Sequence, residues 1–356
     1  MSRPLLVTAD PEVLDDLLRL AALAGVDAEV AATAGAARRT WESAPCVLVG
    51  ADVLDELVDA RLSRRERVHV VGTDLDDATV WQRGLELGAE RVVFLPDADP
   101  WVVDALADAV EGGRDGTVVA VLGGRGGAGA TTLACALAVT AVRRGLPTLL
   151  VDGDPLGGGI DLVFGGEHVN GVRWPELGRT RGRVPAAALA EALPRLSDLS
   201  VLSWDRGSAT SLPVEAVQAV LTAGRRSHGL VVADLPRVLD DGAREVLAAS
   251  STALLVVPAE LRAVASATRV AAQALSLCRD VRVVVRGPAP AGLSATEVAR
   301  ALDLPLAADM RAEPGLARAL EEGVPPATRR GSVLASACHD LLEALLPAAP
   351  AQRRAA

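Results

Sequence analysis

The chain has 356 residues, half of them apolar, which is enough material for two or three domains with sizeable buried cores. Its formal net charge of −10 argues against non-specific attachment to DNA or to anionic lipid, because both reward a basic surface. All 36 basic residues are arginines, and the four cysteines (Cys46, Cys135, Cys278, Cys338) are scattered without the spacing of a metal site or a disulfide framework.

The opening MSRPLLVTADPEV lacks the charged region and apolar block of a secretory leader, so a cytoplasmic location is expected. Short apolar strands then alternate with amphipathic helices: PLLVT, a helix over 12–24, AEVAAT, a helix over 36–43, CVLVG, VHVVGT, a helix over 78–87, RVVFL and a helix over 101–110. Strands separated by crossover helices make a small parallel α/β domain over residues 1–110. The order resembles a response-regulator receiver, with Asp10 in the early acidic position and Pro96 after the fifth strand. Gly50 stands where the third strand should end in the phosphorylated aspartate, Asp52 comes two residues late, and Leu95 replaces the lysine before the proline. A receiver lacking nucleophile and lysine has lost its chemistry, which leaves docking as its expected use, or a plain flavodoxin-like lobe. The polar, glycine-rich run EGGRDG marks a linker over 111–117.

A second domain is expected over 118–346, followed by a flexible alanine-rich tail over 347–356. It begins TVVAVLGGRGGAGATT, in which an apolar strand meets five glycines (Gly123, Gly124, Gly126, Gly127, Gly129) and Thr131 and Thr132 open a helix. Glycines let backbone N–H groups turn inward around a phosphate, and the helix N-terminus beyond adds its positive dipole end. The phosphate-loop pattern G-x-x-x-x-G-K-[ST] matches at Gly124, Gly129 and Thr131, but its lysine position holds Ala130. Downstream, LLVDGDP sets Asp152 and Asp154 just past one strand, and LVVADLP sets Asp234 at the end of another. The C-terminal ends of strands are where a doubly wound sheet binds its ligand, and a buried carboxylate there orients Mg²⁺ or its water.

With those motifs the second domain resembles the MinD/ParA family of deviant Walker-A ATPases, and the fused pseudo-receiver resembles the CpaE/TadZ branch. The segments GVRWPELGRTRGR, VLSWDRG, VVADLPR and VVVRGPAP look closest to the septum-site-determining (Ssd) proteins of high-GC bacteria. The resemblance implies a nucleotide-dependent homodimer with ATP and Mg²⁺ as cofactors. The loop Gly124, Arg125, Gly126, Gly127, Ala128, Gly129 and Ala130 would wrap the phosphates, and Thr132 would contact the α-phosphate. Thr131 would ligate Mg²⁺ with Asp234 behind it, Asp154 would position the attacking water, and Asp152 would support the metal shell and switch loop. Arg125 replaces the signature lysine that reaches a partner's phosphates, and arginine keeps that charge. Arg286 lies where many relatives have an adenine-reading asparagine.

Drift toward arginine accounts for position 125 but not for Ala130, where the charge is gone. The expected protein binds ATP and hydrolyses it slowly or not at all, and positions or regulates a septum or a pilus or secretion apparatus through a cell-division or secretion partner. A genuine slow ATPase and a ParA-like DNA-partitioning protein are the alternatives. The last helix, 333–346, carries acidic residues on its polar face rather than a basic stripe, which favours core packing over peripheral membrane attachment. The four histidines form no ligand spacing, and for Trp174 and Trp204 buried aromatic packing is favoured over shaping the nucleotide or partner face.

Overall fold

The structure, a computed structural model, describes residues 3–111, 116–179, 184–207 and 211–346. The chain divides into two compact units, Met1–Gly113 and Arg114–Ala356.

The first unit runs β1 (Leu5–Val7), α1 (Pro11–Leu23), β2 (Glu29–Ala31), α2 (Ala34–Ala37), β3 (Val47–Gly50), α3 (Leu54–Asp59), β4 (Val68–Gly72), α4 (Ala78–Leu87), β5 (Arg91–Phe94) and α5 (Asp99–Glu111). Its strands pair in the order β2-β1-β3-β4-β5, every pair parallel. Alternate residues of each strand feed opposite cores, with Leu5, Val7 and Val49 on one face and Leu6, Leu48 and Val71 on the other. Asp10 caps α1 through the amides of Glu12 and Val13, and Leu95 is buried in the second core.

The second unit begins with β6 (Thr117–Gly123), α6 (Ala130–Arg143), β7 (Thr148–Asp152), α7 (Trp174–Leu177), α8 (Ala186–Ala192), β8 (Arg195–Leu196) and β9 (Leu199–Leu202). It continues with α9 (Val214–Ser227), β10 (Leu230–Leu235), α10 (Asp241–Ala248), β11 (Thr252–Pro258), α11 (Leu261–Leu275), β12 (Val281–Arg286), α12 (Ala295–Leu302), β13 (Leu306–Met310), α13 (Leu316–Glu321) and α14 (Val333–Leu345). The strand order is β13-β12-β11-β6-β10-β7-β9-β8, parallel except for the β8–β9 pair. Helices cover both faces: Leu133 and Leu137 of α6 and Leu341 and Leu342 of α14 share one core, while residues of α9 to α12 share the other. This is a doubly wound sheet, and the phosphate loop leaves its central strand β6.

Two boundaries differ from the sequence expectation. Helix α5 runs to Glu111 and β6 starts at Thr117, so both ends of the expected linker belong to regular elements; residues 112–115 and 347–356 lie outside the described residues. Helix α14 turns Leu334, Cys338, Leu341 and Leu342 into the core, and no helix among the described residues is long and apolar enough to cross a membrane. All four cysteines are free and buried.

Candidate functional site

The site assembles where β6, β7 and β10 end side by side. Register aligns Asp234 of β10 with Asp152 of β7 on one side and with Val121 of β6 on the other. The Gly153 amide donates to the Asp234 carbonyl at 2.8 Å, which ties the two strand ends together.

Between β6 and α6 the loop turns on Gly127 and Gly129, whose φ values of 69° and 97° favour glycine. Gly124 allows the loop to lie against α11, since a Cβ there would come within 2.7 Å of the Ala267 Cβ. Gly129 caps α6 without any side-chain hydrogen bond, so the first-turn amides of this 14-residue helix have no acceptor from a capping side chain. Thr131 lies exposed on that first turn.

Behind Thr131 sits Asp234, only 4% exposed. Its Oδ1 is buried without a hydrogen-bond partner. Burial pushes this carboxyl up to about 7, against a downward pull from the Thr131 hydroxyl hydrogen bond, and Asp152 and Asp154 push it further up. Asp152 is likewise raised by burial to about 6, although it accepts hydrogen bonds from the Ile160 amide, the Ser203 hydroxyl and the Asp154 amide. Those first two bonds, at 2.9 and 3.0 Å, tie the segment after β7 to the end of β9. Asp154 is half-buried, and its carboxylate accepts the Leu156 amide at 3.0 Å.

A hard dication fits this donor set. The orphaned Asp234 oxygen beside a threonine hydroxyl offers oxygen ligation, and positive charge would offset three clustered carboxylates. The first turn of α6, without a side-chain cap, suits an anion such as a polyphosphate.

Arg125 is not extended toward solvent. Its guanidinium pairs with Glu260, just before α11, at 3.0 Å, with both side chains about one-third exposed. Arg286, at the end of β12, reaches back to the loop: a Cβ on Gly129 would lie 3.4 Å from its Nη1. The structure therefore gathers Asp152, Asp154, Asp234, the loop, Thr131 and Arg286 at one end of the sheet, and holds Arg125 to its own chain.

Several supporting residues carry no local sequence signal. The Trp174 and Trp204 indoles both donate to the Asp152 carbonyl, at 2.6 and 3.2 Å, so these packing residues also fix a strand end of the site. Asp161 is buried between Arg173 at 3.4 Å and Arg206 at 3.0 Å, anchoring the loop that follows Asp154. Partners dozens of positions apart leave no periodicity to read.

In the first unit, the Asp52 carboxylate folds over Gly50. Thr8 Oγ1 donates to it at 2.8 Å, and the Ala9 and Asp10 amides at 2.7 and 3.0 Å. A Cβ at Gly50 would collide with that carboxylate. The place of a phosphoacceptor is thus filled from within.

A family model described as "Rv3660c-like, CheY-like N-terminal domain" matches residues 7–117. Over 342 residues, 94% of this chain and 96% of the relative, the sequence is 42% identical to Rv3660c of Mycobacterium tuberculosis, an uncharacterized protein. The chain belongs to the Rv3660c-like family. Among solved structures it is similar to the MinD cell division protein of Aquifex aeolicus, at 21% identity and TM-score 0.54 over 65% of this chain and 99% of that one. It is also similar to the septum site-determining protein MinD of Pyrococcus horikoshii, complexed with Mg-ADP, at 19% identity and TM-score 0.53 over 64% and 95%. The second unit accordingly has a MinD/ParA-like P-loop fold, joined to a CheY-like first unit.

Proposed function

We propose that this Rv3660c-like protein binds ATP and Mg²⁺ and acts as a positioning or regulatory protein at a septum or a pilus or secretion apparatus. In this reading the second unit forms a nucleotide-dependent homodimer and the first docks onto a partner. The observation that carries it is the unpartnered, buried Asp234 oxygen beside a phosphate loop whose helix has no side-chain cap. Thr131 and, through water, Asp234 would hold Mg²⁺, which when bound neutralises phosphate charge. The loop amides and Thr132 would hold the phosphates, and Asp154 would orient a water.

Hydrolysis is slow or absent on this reading. Without the lysine at 130, stabilisation of the developing charge falls by about 3 to 4 kcal/mol, a few hundredfold in rate. Binding is less affected, because amides and metal hold most of the phosphate charge.

Two exposed faces support the assembly. Leu156, Val238 and Leu261, at 82%, 77% and 72% exposure, follow the C-terminal ends of β7, β10 and β11, where a second copy would cover them. On α4 of the first unit, Trp81 and Leu85 stand exposed one helical turn apart, a surface suited to a protein partner.

Sedimentation of the full chain tests the reading. Mass should double on adding ATP with Mg²⁺, and Gly129→Val, which crowds the loop, should stay monomeric. An unchanged mass in saturating nucleotide overturns the dimer. Salt-sensitive retention on duplex DNA would favour a partitioning protein instead.

A further inference from the structure

The phosphate loop has no cation at its lysine position, Ala130, yet a cation reaches it from elsewhere in the sheet. Arg286 ends β12, and its backbone is fixed from both sides: its carbonyl accepts the Ala259 amide at 3.0 Å, and it pairs in register with Met310 of β13. From that anchor the side chain runs to the loop, with Cδ 3.6 Å and Nη1 3.4 Å from where a Cβ on Gly129 would stand. Its Nε is buried without a hydrogen-bond partner, so part of its donor fork is desolvated and unspent. Arg125, the loop's own arginine, also has a buried Nε without a partner, but its guanidinium is held by Glu260 at 3.0 Å.

The structure assigns Arg286 as the polyphosphate-binding cation of this site, replacing from β12 the charge that Ala130 has lost from α6. This rests on the nucleotide-binding reading above. A guanidinium pre-positioned over the loop offers a fork that matches phosphate oxygens, whereas a group that only discriminates the base needs no contact with Gly129. At the position where many relatives carry an adenine-reading asparagine, this chain carries a phosphate reader. Small residues at 129 and 130 leave the approach open. The charge has moved from one element to another, with the site's electrostatics kept and the transition-state geometry of the lysine not reproduced.

Equilibrium binding of fluorescent ATP, ADP and GTP analogues to the full chain with Mg²⁺ tests this. Arg286→Ala should weaken all three at least tenfold, by a similar factor for the adenine and guanine nucleotides, while Arg286→Lys retains part of the affinity. Adding Ala130→Lys to Arg286→Ala should restore most of the loss, which also rules out misfolding as its cause. Unchanged ATP affinity in Arg286→Ala, or a loss confined to adenine nucleotides, overturns the assignment while leaving nucleotide binding intact. If the wild-type chain binds none of the three, the assignment and the nucleotide-binding reading fall together.

Discussion

Asp234 is the most informative residue of the site, because it is a buried carboxyl with an unpartnered oxygen. Its carboxyl is raised from 3.8 to about 7, so ionisation is disfavoured in the folded chain relative to the unfolded one. A folded value above the unfolded one means that the group's contribution to stability is fully present in acid and is lost as pH climbs from about 4 to about 7. Asp152, raised to about 6, acts in the same direction over a narrower window. Without Mg²⁺, Asp234→Asn should therefore melt several degrees above wild type at pH 8, an advantage of about 2 kcal/mol that shrinks toward pH 4. Thermal melts at the two pH values check this, and a variant no more stable than wild type at pH 8 would show the carboxylate to be already compensated. Mg²⁺ with ATP should reverse the order, since only the aspartate gains from the cation. That a native position costs stability is what a binding site predicts.

Which residues could be read from the sequence follows from how local their signals are. Asp152, Asp154, Asp234 and Thr131 each sit in a motif tied to a strand end or helix start, and all come together in the fold. The indole bonds from Trp174 and Trp204 to the Asp152 carbonyl, the Arg173–Asp161–Arg206 cluster and the reach of Arg286 to Gly129 join distant segments, so nothing in the local pattern announces them.

Among the elements, the strongly amphipathic helix α4 falls on its expected span, residues 78–87. Three that carry weak signals were not expected. Helix α3 is six residues long, β8 spans only two residues, and β13 reads LAADM, with Asp309 exposed on an edge strand where alternation is blurred. In place of the expected 36–43 helix the chain forms the short α2 over Ala34–Ala37 and then a run of turns that buries Trp41, whose indole donates to the Ser63 carbonyl. At the end of β3, Asp52 does more than arrive late in a motif: it bonds the β1–α1 loop to β3. Asp52→Ala should cost the first unit about 1 kcal/mol and speed hydrogen exchange at the Ala9 and Asp10 amides severalfold. Unaltered protection at those two amides would mean that the carboxylate does not hold the loop.

At the scale of the molecule, a CheY-like unit is joined to a MinD/ParA-like unit, and on the proposed reading each keeps its scaffold without the residues that perform turnover. Gly50 and Leu95 stand at the receiver's reactive positions, and Ala130 stands at the phosphate loop's lysine. The binding features of the second unit remain: an uncapped helix N-terminus, a buried unpaired carboxylate oxygen and an arginine over the loop. On the proposed reading these substitutions remove chemistry but spare recognition, and the nucleotide serves as a state marker held through an assembly cycle. The most direct test is to load the purified full chain with radiolabelled ATP and Mg²⁺, isolate the complex, and follow the bound nucleotide over time. The account predicts stoichiometric binding with the label recovered as ATP over hours. Rapid conversion to ADP in wild type, abolished by Asp154→Ala, would contradict it.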